Sequence, residues 1–312
     1  MGAGHPHAHP HGADHHHGDA GVRAFAWVTL LNLAYTVLEA GYGFATNSLA
    51  LLSDALHNLG DVLGLGLAWG AAVIAKRAPT DRHTYGWRRA TLLSPLANAL
   101  LLVAFSGALA WEAIRRFEAP PEIPALPVML VAALGIAVNL GAAWFVRDGH
   151  AHDLNRRGAF LHLIADAAVS LAAVLAGVGM WWLGWAWLDP VTALLIGAAV
   201  AAGAFGLLRE SFNAAMDAVP RAIDQTAVRA YLLAQPGVSA VHHLHIWSLG
   251  AGEIAMTAHL VRPEGAGEEG HDAFIDRLNH TLDHEFGINH PTLQIEHGRG
   301  CEHDRHDRAP HH

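Results

Sequence analysis

Six stretches of about 20 predominantly apolar residues, each long enough to cross a bilayer as a helix, dominate this chain and leave few folds open to it. They run from Ala24 to Phe44, Leu49 to Ala75, Thr91 to Trp111, Leu126 to Val146, Phe160 to Trp182 and Pro190 to Leu208. Hydrophobic residues make up 52% of the 312 and charged ones only 15%, so a wholly soluble fold is not expected. An even number of spans returns both ends of the chain to one side.

Lys and Arg collect in short cytoplasmic loops, and their distribution here is uneven. The segment between the second and third runs carries Lys76, Arg77, Arg82, Arg88 and Arg89, and that between the fourth and fifth carries Arg147, Arg156 and Arg157. The links after the first and fifth runs carry none. Arg115 and Arg116 after the third run point the other way. The balance places both termini in the cytoplasm of a bacterial-type inner membrane.

Four segments follow from composition: a His-rich tail at 1–21, a six-span membrane domain at 22–210, a soluble domain at 211–298 and a polar tail at 299–312. The first tail has no basic start followed by an apolar core, so it does not read as a signal peptide. Its His5, His7, His9, His11, His15, His16 and His17 suit loose capture of a metal, or simply a flexible tail. The other tail carries Cys301, His303 and His306. A single cysteine excludes a disulfide framework within one chain and any multi-thiolate centre. A net charge of −9 gives no basic patch for nucleic acid.

Beyond Pro220 the pattern reads as a helix from Ile223 to Ala234, strands at Val241 to Leu249 and Glu253 to Val261, a helix from Asp272 to Phe286 and a strand from Thr292 to Glu296. Gly250 and Gly252 mark a hairpin between the first two strands. The order αββαβ predicts a small α+β module with two helices on one sheet.

Inside the second and fifth runs stand His57 with Asp61 and His162 with Asp166, two copies of one HxxxD spacing. Residues four apart share a helix face, so each pair presents an imidazole and a carboxylate together. Ionisable groups at membrane depth are costly and usually line a pathway or hold a partner. One such pair alone would read as a polar contact between helices, but two with identical spacing argue for a site. Two imidazoles and two carboxylates around a divalent ion make a neutral, four-coordinate cage. Emptied, the cage holds like charges that protons relieve, which couples metal release to proton uptake. Asp54, one turn before His57, is a candidate for orienting an imidazole. Glu39 and Asn139 either line the pathway or bond between helices. A metallohydrolase would need an open coordination position and a substrate cleft, so transport is expected in place of catalysis, with no organic cofactor. A membrane-anchored metal buffer or sensor is the alternative.

The segments NSLALLSDALHNLGD, DRHTYGWRRA and HLIADAAVSLAAV resemble the second span, the following loop and the fifth span of the cation diffusion facilitator family. The resemblance extends from about Arg23 to His297. It implies a homodimeric, six-span, proton-coupled Zn²⁺ exporter working by alternating access, with a cytoplasmic metallochaperone-like domain. His57, Asp61, His162 and Asp166 match the family's transport site, one complete set per protomer, and histidine in these places resembles the zinc-preferring type; Co²⁺, Ni²⁺ and Cd²⁺ stay open. Asp81 and His83 match two ligands of a loop site, with Trp87 and Thr80 standing where further ligands occur in some relatives. In the soluble domain VHHLHIWSL and later segments resemble metal positions at His242, His259 and His271, with His243, His245, Glu296 and His297 as additions. Arg89 and Asp217 resemble a charged pair that links the membrane and soluble parts across the dimer interface of relatives.

Overall fold

A computed structural model describes residues 16–147, 154–265 and 269–297. The histidines through His15, together with Cys301, His303 and His306, lie outside those residues. The element order is α1 (His16–Thr46), α2 (Leu49–Ala75), α3 (Ala90–Arg115), α4 (Ala125–Val146), α5 (Leu154–Leu183), α6 (Leu188–Ala215), α7 (Gln225–Leu233), β1 (Ala240–Gly250), β2 (Glu253–Val261), α8 (His271–Phe286) and β3 (His290–Glu296). Each apolar run is a helix. The five from α2 to α6 are long and apolar enough to cross a membrane. They leave large side chains outside, such as Leu130 at 62% and Leu195 at 68% exposure, as lipid-facing helices do. The protein is an integral membrane protein.

The chain divides into two compact units, Met1–Val62 with Leu102–Ala202, and Leu63–Leu101 with Gly203–His312. In the first, α4 packs along α5 and α1 lies against α4. Lipid is as apolar as leucine, so close backbone approach holds such helices together, and small residues permit it. Ala50, Ala132 and Ala173 are fully buried, alongside Tyr35, Leu51 and Val128. Gly135 of α4 is in contact range of both Tyr35 of α1 and Ser170 of α5, and a β-carbon there would collide with the tyrosine hydroxyl.

The start of α2 is capped from a distance. Asp189, at the start of α6, accepts from the Leu49 and Ala50 amides at 2.8 and 3.1 Å and from the Ser48 hydroxyl at 2.5 Å. These amides are among the donors that a helix cannot satisfy itself. Arg116 donates to the Asn47 carbonyl and side chain at 2.6 and 2.7 Å and reaches to 4.0 Å from Asp189. It is 8% exposed, so this arginine is consumed by a buried network and is not a free loop charge.

In the second unit the sheet order is β1-β2-β3, with β1 and β2 antiparallel and β2 and β3 parallel, the crossover made by α8. This is the αββαβ order predicted from the sequence. Val228 and Leu232 of α7 and Phe274, Leu278 and Leu282 of α8 join Leu244, Ile246 and Leu260 of the sheet in one core. Asp224 caps α7 through the Thr226 and Ala227 amides, and Gly287, in the left-handed conformation at φ 69°, ends α8. The hairpin turns through Gly250, Ala251 and Gly252, all at positive φ.

One feature of β1 departs from simple alternation. Its register against β2 shifts between His242 and His245, and His243 sits at φ 49°. A bulge adds one residue to one strand, so Val241 and Leu244 both reach the core while the two histidines between them stay out of it.

Candidate metal centre

The two HxxxD motifs meet, and they do so crosswise. His57 Nε2 of α2 lies 3.2 Å from Asp166 Oδ1 of α5, and His162 Nε2 of α5 lies 3.1 Å from Asp61 Oδ2 of α2. His162 Nε2 is also 3.5 Å from Asp166 Oδ2, within its own helix. Each imidazole therefore pairs with the carboxylate of the opposite motif. A tetrahedron with arms of 2.0–2.1 Å, the usual zinc distances, has edges of about 3.4 Å. The three separations bracket that value.

Donor atoms of His57, His162 and Asp166 all fall within 4.8 Å of one another, whereas Asp61 approaches the group through His162. The Asp166 side chain is fully buried, while those of His162 and Asp61 are 44% and 43% exposed, so the site has a closed floor and an accessible edge. Asp166 Oδ2 is buried and has no hydrogen-bond partner among the described residues. An anionic oxygen in that condition suits a cation.

Beneath this group is a second layer of buried polar side chains. Asp54 accepts from Ser170 of α5 at 2.9 Å. This bond ties α2 to α5; no hydrogen bond between Asp54 and the His57 ring is present among the described residues, and Asp54 Oδ1 is buried without a hydrogen-bond partner among them. Glu39 accepts from Tyr35 at 2.7 Å and from Asn58 of α2 at 3.3 Å, which places it between helices. Asn139 is fully buried and neither side-chain polar atom has a hydrogen-bond partner among the described residues.

On the sheet, His242 and His259 stand directly opposite each other in β1 and β2. Glu296, at the end of β3, reaches both: Oε2 is 3.0 Å from His242 Nε2 and Oε1 is 2.8 Å from His259 Nδ1. Partial burial pushes the Glu296 carboxyl up, but the hydrogen bonds from His259 and His242 prevail and hold it below the ordinary carboxylate range. These three residues form the second set of donors within 4.8 Å. The bulge brings the His243 ring to 4.9 Å from that of His259, and His245 lies farther along at 6.4 Å from His243.

Two residues expected in this set are not in it. His271 opens α8 and is not among the donors within 4.8 Å of one another, and the His297 ring is engaged with the Arg262 carbonyl at 3.0 Å. In the α2–α3 loop, His83 stacks on Trp87 with ring centroids 4.4 Å apart. Asp81 and His83 belong to no set of three donors among the described residues. Arg89 donates to Asp217 at 2.8 Å within one chain, both side chains being about half exposed.

Asp189 and Ser48 were not anticipated as partners, since nothing local relates positions so distant in sequence. The bulge did leave a signal: apolar residues at 241, 244 and 246 follow a spacing of three and then two, where an unbroken strand keeps to two.

Comparison with known proteins agrees with this architecture. Residues 26–214 match the model of the cation efflux transmembrane domain, and residues 220–298 match that of the cation efflux protein cytoplasmic domain. The metal cation efflux system protein CzcD of Cupriavidus metallidurans is 34% identical over 296 residues, covering 95% of this chain and 90% of its own length. The zinc transporter ZitB of Escherichia coli is 33% identical over 303 residues, covering 95% of each. A cadmium, cobalt and zinc/H(+)-K(+) antiporter of Bacillus subtilis is 31% identical over 298 residues, covering 95% of this chain and 94% of its own. With both domain models matched in order and these relatives aligned nearly end to end, the chain belongs to the cation efflux, or cation diffusion facilitator, family.

Proposed function

We propose that this protein exports Zn²⁺ from the cytoplasm in exchange for protons, by alternating access at the site formed by His57, Asp61, His162 and Asp166. The observation that carries the reading is the crosswise pairing of the four side chains at separations close to the edge of a zinc tetrahedron. Imidazole favours zinc over magnesium, calcium or manganese, and the relatives' names include zinc in two cases. Cadmium and cobalt appear in one of those names and remain the competing cargoes. Two carboxylates balance the dication, and protons take its place when it leaves.

In this reading α1 is the sixth span, both termini face the cytoplasm, and the protein works as a homodimer with one transport site per protomer. Engagement of Arg116 in a buried network supports the orientation, because it removes one of the two exceptions to the loop-charge rule and leaves only Arg115. The domains divide at 22–210 and 211–298. His242, His259 and Glu296 hold a regulatory metal through three donors. Binding there stabilises the metal-loaded conformation of the soluble domain by mass action. Arg89 and Asp217 act as a pivot between the membrane helices and that domain.

The test is flux into vesicles. Purified protein is reconstituted with a Zn²⁺-sensitive dye inside and a pH gradient is imposed. Zn²⁺ entry should follow the gradient in the wild type and vanish in Asp166→Ala. Wild-type vesicles that bind Zn²⁺ without gradient-driven entry would instead identify a metal buffer or sensor.

A further inference from the structure

The cytoplasmic-type loop between α2 and α3 encloses, with the ends of those helices, a cavity of about 790 Å³ that the transport reading does not use. Part of the lining is apolar and belongs to the spans: Leu67, Ala71 and Ile74 of α2 and Leu93 of α3. Gly66 and Gly70 also line it, and open space lies where their side chains would be, so the groove runs over bare helix backbone. From Ile74 back to Gly66 the groove follows about 12 Å of α2 at 1.5 Å per residue. That approaches the roughly 15 Å hydrocarbon depth of one leaflet.

The rim has the opposite character. Arg77, Arg82, Arg88 and Arg89 all line it. Arg88 is paired with Glu253 and Arg89 with Asp217, but Arg77 and Arg82 form no ion pair among the described residues. Tyr85 and Trp87 stand beside them, 56% and 42% exposed, as aromatic residues do at the level of lipid headgroups. Two uncompensated guanidinium groups above an apolar channel match a molecule with an anionic head and a hydrocarbon tail. Guanidinium meets phosphate through paired N–H donors, and cationic clefts between spans at the membrane surface suit acidic headgroups.

We propose that this cavity binds an anionic phospholipid, its phosphate on Arg77 and Arg82 and an acyl chain along Leu67, Ala71, Ile74 and Leu93. The inference does not rest on the identity of the transported ion.

The test uses the full chain in detergent with phosphatidylglycerol, phosphatidylcholine or inorganic phosphate added, binding being read by native mass spectrometry and thermal unfolding. Wild type should retain and be stabilised by phosphatidylglycerol, but not by phosphatidylcholine or free phosphate. At about 1 kcal/mol per basic residue near an acidic headgroup, Arg77→Gln with Arg82→Gln should weaken phosphatidylglycerol binding roughly thirty-fold. Transport in phosphatidylcholine vesicles should be unchanged, which shows that the variant is folded. A second variant locates the lipid: in a Cys301→Ser background, Leu93→Cys should be shielded from a maleimide by phosphatidylglycerol alone. Equal responses to the two lipids, an undiminished response in the double variant, or stabilisation by phosphate alone would overturn the proposal. So would efficient Leu93→Cys cross-linking between two copies, which would make the cavity a contact between chains.

Discussion

The four HxxxD residues of the proposed transport site are not equivalent, and replacing each aspartate by asparagine should expose the difference. Asp166 is fully buried and lies within 3.5 Å of both imidazoles, whereas Asp61 is 43% exposed and meets only His162. Two unit charges about 4 Å apart attract by about 4 kcal/mol at the effective dielectric of a protein interior near 20, and by about 1 kcal/mol in water. A dication doubles both figures. Desolvation of the buried carboxylate offsets part of that gain, so the unit-charge values are taken as the net scale. At 1.36 kcal/mol per decade, Asp166→Asn should weaken Zn²⁺ binding about a thousandfold and Asp61→Asn about fivefold. The assay is competition against a chromophoric chelator in detergent, in a background where His242, His259 and Glu296 are replaced by alanine to silence the sheet site. Equal losses for the two variants, or a larger loss for Asp61→Asn, would refute the argument from burial.

Two further outcomes follow from polar contacts away from the metal. Asp189→Ala removes three accepted hydrogen bonds and leaves Arg116 without its buried carboxylate, so thermal unfolding in detergent should show a loss of about 3 to 5 kcal/mol. A loss below about 1 kcal/mol would mean that α2 does not depend on this cap. In the soluble domain, hydrogen bonds from Arg277 hold the Glu269 carboxyl below its usual range, aided by the charges of Arg277 and Arg262. A lowered folded value contributes stability above the unfolded value of about 4.3, and that contribution disappears as pH falls through the folded one. Hydrogen exchange of α8 amides should therefore separate wild type from Glu269→Gln at neutral pH, and the two should converge in acid; divergence in acid would contradict the assignment.

Much of this molecule is legible from periodicity and spacing because the forces involved are local. Apolar runs become helices in lipid because no other open backbone can satisfy its own hydrogen bonds there. The soluble elements follow from alternation, the Asp224 cap and the Gly250–Gly252 turn. The HxxxD spacing singles out four residues that the structure brings together, yet not all their partners: spacing within a helix suggests His57 with Asp61, while the structure pairs His57 with Asp166 and His162 with Asp61 across the two helices, with His162 also near Asp166 of its own. Tertiary packing makes that choice. Tertiary packing likewise gives Asp54 its hydrogen bond from Ser170, which lying one turn from His57 does not determine. In the soluble domain the histidine-rich sequence offered too many donors. Strand register selects among them, setting His242 opposite His259 and bringing Glu296 to both, and no spacing within one strand contains that information.

The distant cap on α2 also bears on how the protein is made. Ser48 and Asp189 are separated by 141 positions, with α3, α4 and α5 synthesised between them. At 5–20 residues per second, roughly 7 to 28 s pass before the ribosome supplies the carboxylate that the first turn of α2 will use. Until then the Leu49 and Ala50 amides depend on water or on lipid headgroups. The start of α2 is thus unfinished until α6 arrives to complete it.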